Sequence, residues 1–121
     1  DPGWTPLLTR VLAALAARST ALSSGAFKTL HGDLHPNNVL VSTDHPSSLP
    51  GFIDMDSLRC GPAALELGGW LADAAYRTSL AGHSSESAWP ACEAFLQGYE
   101  AQGGAASRAE ALAWGAAVFL G

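Results

Sequence analysis

Two cysteines, one methionine and one lysine are all that 121 residues hold of those types. Cys60 and Cys92 lie far apart, with neither the number nor the C-x-x-C spacing of a zinc knuckle, a redox pair or a secreted disulfide framework, so a reducing compartment, the cytoplasm, is expected. Positive charge is also scarce. Six basic residues stand against eleven acidic ones, giving a net charge of -5 with no Lys/Arg run, which excludes a nucleic-acid backbone as partner. The longest apolar stretch, from about Ala111 to Leu120, is half of what a bilayer span requires, and no basic segment followed by an apolar one opens the chain, so neither membrane insertion nor secretion is expected.

The residues that remain belong to a folded chain with one core. At 48% hydrophobic and 14% charged, it is more apolar than an ordinary free-standing small domain, and part of its apolar surface is expected to meet a missing neighbour. Residue 1 is Asp, the only methionine is Met55, and the chain stops within Val118-Phe119-Leu120. It therefore reads as an excised piece of a longer protein.

Four helical patterns frame one short β region. Thr5-Pro6 offers an N-cap and a proline at the first helical position, and Leu7, Leu8, Val11, Leu12 and Leu15 recur at helical spacing towards Ser23-Ser24-Gly25. A second helix follows Pro62, with Leu67, Trp70, Leu71, Ala74 and Thr78 on one face; Gly68-Gly69 inside it implies close packing against something. A third, from about Ser87 to Gln102, carries Trp89, Cys92, Phe95, Leu96 and Tyr99 as its stripe. The fourth opens on Ser107-Arg108-Ala109-Glu110, a capping box. Between the first two, Val39-Leu40-Val41 and Gly51-Phe52-Ile53 are β-type runs joined by a turn-forming linker, Ser42 to Pro50, which predicts an antiparallel hairpin.

That hairpin carries chemistry. Antiparallel pairing sets the residue before its first strand, Asn38, beside the residue after its second, Asp54. An amide oxygen and a carboxylate together are ligands for a hard cation such as Mg²⁺, which leaves its other sites to water and phosphate. Five residues before Asn38 stands Asp33. The intervening loop contains Pro36, which prevents a helix, and so carries Asp33 close to the metal pair without its being consumed there. A carboxylate so placed accepts a proton from an attacking hydroxyl.

His31-x-Asp33-x-x-x-x-Asn38, a hairpin and then an aspartate is the order in which protein kinases arrange base, metal-binding amide and metal-binding carboxylate. His31-Gly32-Asp33-Leu34-His35-Pro36-Asn37-Asn38-Val39-Leu40, followed by Ile53-Asp54-Met55-Asp56 and Gly61-Pro62-Ala63, resembles the aminoglycoside phosphotransferase family. These are small-molecule kinases with the protein-kinase-like fold, among them choline, homoserine and fructosamine kinase relatives. The motifs cover residues 31 to 66, and the helical order on either side is similar to the family's C-terminal lobe. The resemblance implies an α+β fold, mainly helical with a short catalytic β-hairpin, and makes residues 1–121 that lobe. It implies Asp33 as catalytic base, Asn38 and Asp54 as ligands of the magnesium on ATP or GTP, and Asp56 as a second acid at the metal. His31 and His35 would support the loop, and the acceptor would be a small-molecule hydroxyl.

Departures are visible too. Asn37 stands where relatives usually have glycine, and Glu66-Leu67-Gly68 where they read Asp-Leu-Ala; the longer glutamate is expected to reach the catalytic-loop backbone. Gly32 replaces the arginine that follows the histidine in protein kinases. No glycine-rich loop precedes a strand, and Lys28 lies three residues before His31 rather than in a Val-Ala-Ile-Lys strand, so the nucleotide-holding N-terminal lobe is expected outside this chain.

Plainer readings stand beside these. A lone Gly-Asp before a strand is usually a turn, Asp56 suits an N-cap of the next turn as well as a metal, and the stripes of Trp70, Trp89, Phe95 and Trp114 are most simply core. His31, Asp33 and His35 alternate, as metallohydrolase ligands on one strand would, although Gly32 and Pro36 oppose an extended strand. A kinase-like module that binds without catalysis is the other alternative.

Overall fold

A computed structural model describes residues 27–120, together with Thr9 and Ala13. The first helical pattern therefore lies, apart from those two helical positions, outside the described residues.

Two small antiparallel sheets and three helices make up the described part. Strands β1 (Phe27–Leu30), β2 (Val39–Leu40), β3 (Gly51–Phe52) and β4 (Arg59–Pro62) precede α1 (Ala63–Leu80), α2 (Trp89–Ala101) and α3 (Arg108–Leu120). The mixture of helices and short antiparallel strands is compatible with an α+β fold. β2 pairs with β3 as the turn-rich linker predicts, in the register Val39↔Phe52 and Leu40↔Gly51. β1 and β4 form a second sheet, Phe27↔Pro62 to Leu30↔Arg59, that the single expected β region did not include. The inner hairpin is thus nested inside an outer pair of strands.

α1 starts at Ala63 because Pro62, at φ -67° and ψ 132°, delivers the chain to its first turn without donating a ladder hydrogen bond. It ends in a Schellman motif, His83 N to Thr78 O at 3.2 Å and Gly82 N to Ser79 O at 3.0 Å; α2 ends likewise, Gly104 N to Tyr99 O at 3.1 Å and Gly103 N to Glu100 O at 3.0 Å. α3 begins with the expected capping box: Glu110 Oε2 accepts from Ser107 N at 2.9 Å while Glu110 N donates to Ser107 Oγ at 3.3 Å.

The core is the meeting of these helices. Leu67 and Leu71 of α1, Ala88, Cys92 and Leu96 at and within α2, and Ala111 of α3 form its buried cluster, with Trp70 stacked on Phe95 at 4.5 Å between ring centres and 14° between planes. Gly68 explains half of the double glycine in α1. A Cβ there would stand 2.5 Å from Trp114 Cβ and 2.6 Å from Gly115 N of α3, whereas a Cβ on Gly69 would meet nothing. The expectation that Trp89 belongs to the core is corrected: as the first residue of α2, beyond the helix–helix contact, it remains 45% exposed. Arg108 ties α3 to α2, with Nη1 2.6 Å from Glu93 Oε1 and Nη2 3.1 Å from Glu100 Oε2. Among the described residues no helix is long and apolar enough to cross a membrane.

Candidate active site

The site is built where the outer sheet gives way to the inner one. β1 ends on buried Leu30, and the next residue, His31, is buried too, with its ring edge-on to Phe52 at 6.4 Å. Its Nε2 lies 2.8 Å from the Ile53 carbonyl. A carbonyl only accepts, so Nε2 carries the proton and this histidine fastens the start of the loop to the end of β3.

Gly32 adopts φ +86°, and a Cβ there would run into the carbonyl of Ser57. Glycine is required on both counts. Its backbone is held at both polar groups: Gly32 N donates to Glu66 Oε1 and Oε2 at 3.2 and 3.1 Å, and Gly32 O accepts from Arg59 Nη2 at 3.1 Å. Glu66 Oε1 also accepts from Leu34 N at 3.4 Å. The glutamate on the first turn of α1 does reach the loop backbone, and it brackets Asp33 with bonds to the residue on either side.

Asp33 itself is exposed. Its carboxylate oxygen Oδ2 lies 3.8 Å from His35 Nε2. A turn of 3₁₀ helix, Pro36–Asn38, follows, closed by Asn38 N to His35 O at 2.9 Å. Asn38 is 6% exposed, and its Nδ2 donates to the Asp33 carbonyl at 2.9 Å and lies 3.3 Å from His35 Nε2. With Nδ2 so engaged, Oδ1 is the atom left to bind something else.

Asp54 differs in its backbone. It is the one non-glycine residue with positive φ among the described residues, at φ 61° and ψ 58°, and although it stands at the N-cap of the turn Met55–Ser57 its side chain makes no capping bond. A left-handed residue of this kind costs roughly 1–3 kcal/mol and concentrates at functional sites. Asp56 lies inside the same turn and is exposed, so the reading of Asp56 as the cap of that turn is corrected: the cap position is Asp54.

Side-chain contact unites Asp33, His35 and Asn38. Asp54 comes to them through one backbone bond, Ile53 N to Asn38 O at 3.1 Å. This corrects the expected pairing. The register makes Ile53, not Asp54, the neighbour of Asn38, because the strands end one residue earlier than the apolar runs do. The alternation of His31, Asp33 and His35 is not that of a strand either: Gly32 turns the chain, His31 serves Ile53, and among the described residues no three His, Cys, Asp or Glu side chains gather as metal ligands.

Asp33 opens onto a cleft of about 460 Å³ lined also by His35, Arg59, Glu66, Asp73 and Tyr76. Sequence reasoning did not single out Arg59, which lines this cleft with Asp33.

The model of the phosphotransferase enzyme family (APH) matches residues 2–114, and the chain belongs to that family. No curated protein and no solved structure matches it.

Proposed function

We propose that this chain is the C-terminal catalytic lobe of a small-molecule kinase, one that moves the γ-phosphoryl group of ATP or GTP to a hydroxyl. The observation that carries the reading is the bond from Asn38 Nδ2 to the Asp33 carbonyl, 2.9 Å long. It couples a base to a metal-binding amide so that neither shifts without the other. In this reading Asp33 orients the acceptor hydroxyl and takes its proton. Asn38 Oδ1 and the uncapped Asp54 carboxylate are hard oxygen donors of the kind Mg²⁺ takes, with Asp56 in support. Magnesium held there would neutralise phosphate charge, leaving positioning as the protein's main contribution. His31 and His35 hold the loop.

An opposing nucleotide lobe is part of the proposal. Supporting it, Leu40, Phe52, Ile53, Met55 and Leu58 all stand exposed on and beside the hairpin, an apolar concentration that monomeric proteins rarely leave bare. The free thiols of Cys60 and Cys92 support a reducing, cytoplasmic setting.

The test is kinetic. In the enzyme complete with its nucleotide lobe, Asp33→Asn should lower kcat by roughly 10² to 10⁴-fold with nucleotide binding nearly unchanged, and Asp54→Ala should weaken Mg-nucleotide binding. Full turnover by Asp33→Asn overturns the base assignment; tight ligand binding with no turnover by the wild type favours the non-catalytic alternative. The isolated 121 residues should not phosphorylate an acceptor, since the triphosphate must be held from both sides.

A further inference from the structure

Three arginines fall among the described residues, and two of them are in ion pairs: Arg77 Nε with Asp73 Oδ2 at 2.6 Å, and Arg108 with Glu93 and Glu100. Among the described residues Arg59 forms no ion pair with a carboxylate. Its guanidinium spends one donor, Nη2, on the Gly32 carbonyl at 3.1 Å, and a guanidinium has five N–H donors and a permanent charge. It lines the same cleft as Asp33.

Arg59 is also held in place from both ends. Its backbone pairs with Leu30 in the outer sheet, and the glycine whose carbonyl it grips is held at its N–H by Glu66. Of the acids lining the cleft, Glu66 is engaged with two loop amides and Asp73 with Arg77, while Asp33 faces the cleft without an ion pair to Arg59. A positioned guanidinium with free donors beside a carboxylate base is a preorganised electrostatic partner for negative charge brought into or developed in the cleft.

We propose that Arg59 is an oxyanion-binding residue of the Asp33 cleft. The oxygens it takes are those of the transferring phosphoryl group or of a carboxylate or phosphate carried by the acceptor. The anion site stands on the cleft geometry alone; assigning its source rests on the kinase reading above.

The site is tested first by titrating the ¹⁵N-labelled chain with inorganic phosphate at constant ionic strength and following the arginine Nε–Hε resonances. A saturable shift of the Arg59 signal, with Arg77 and Arg108 still and the response abolished in Arg59→Gln, is the expected result. Equal drift of all arginines, or no saturable shift, overturns the proposal. Should Arg59→Gln not fold, Arg10→Lys, Arg18→Lys, Arg77→Lys and Arg108→Lys assign four of the five arginine signals of the chain, and the fifth is that of Arg59. The source is then read in the enzyme complete with its nucleotide lobe, using Arg59→Ala and Arg59→Lys with a neutral and an acidic acceptor. Loss of roughly 10² to 10³-fold in kcat with both acceptors assigns the phosphoryl group, a rise in KM for the acidic acceptor alone assigns the acceptor, and unchanged kinetics with both overturns the role. Absence of turnover in the wild type would count against the kinase reading, while the phosphate titration would still decide the site.

Discussion

The carboxylate of Glu66 accepts both oxygens' worth of bonding from the Gly32 amide, at 3.2 and 3.1 Å, across 34 residues of sequence. A helix that begins after Pro62 thereby sets the conformation of a loop that follows β1, and Asp33 lies between the two amides it holds.

Glu66→Ala should therefore do more than trim a side chain. It leaves the amides of Gly32 and Leu34 without acceptors in a half-buried site, at a cost of about 1–3 kcal/mol, while Glu66→Gln keeps an acceptor oxygen and should cost less. Urea denaturation of the three proteins checks the order; an Ala variant as stable as the wild type would mean the fork contributes nothing.

The two neighbouring glycines of α1 should respond with opposite sign. Gly68→Ala forces a methyl against Trp114 and the Gly115 backbone and should destabilise by about 1–3 kcal/mol, the usual range for overpacking. Gly69→Ala meets open space and should stabilise by up to about 1 kcal/mol through helix propensity. Thermal melts of the pair decide it.

Acid should loosen the contact between α2 and α3. Hydrogen bonds from Arg108, then from Gln97, hold the Glu93 carboxyl below its ordinary value, and the Ser107 amide and hydroxyl do the same for Glu110. Carboxyls lowered in the folded state contribute stability that is fully present above the ordinary carboxylate range and is lost as the pH falls through their folded values. Stability measured on descending pH should drop there, and the drop should be shallower in Glu110→Gln, whose amide does not titrate. Added salt should weaken the Arg108 bridges, which are surface pairs.

The two thiols should separate cleanly by reactivity. Cys60 is exposed, while Cys92 is buried and burial raises its thiol above the usual range, so less of it is thiolate. One equivalent of Ellman's reagent should react with the native chain and a second only on unfolding.

Much of this was legible in the sequence. The hairpin, the capping box and the start of α1 are announced by local chemistry: turn formers from Ser42 to Pro50, Ser107 three residues before Glu110, and Pro62. What escaped is non-local. Phe27–Leu30 is a strand only because Arg59–Pro62 lies beside it, and four residues do not establish an alternating pattern. The one-residue offset between Asn38 and Asp54 escaped because apolar runs mark strand interiors and not the last paired residue. Arg59 escaped because its place beside Asp33, and the lack of an ion pair to it among the described residues, are set by the outer sheet and not by local sequence.

The nesting of the two ladders has a consequence for how the site comes into being. The residues from His31 to Asn38 and from Ile53 to Leu58 all lie between the inner and outer pairs, so neither ladder alone assembles them. Once β2 and β3 have met, the segment that must still be closed to bring β1 to β4 is about half as long, a saving of about 0.6 kcal/mol in closure entropy. Hairpin first and outer sheet second is then the economical order of folding. The loop that carries Asp33 becomes the last stretch to be cinched, and it is formed or lost together with the outer strands.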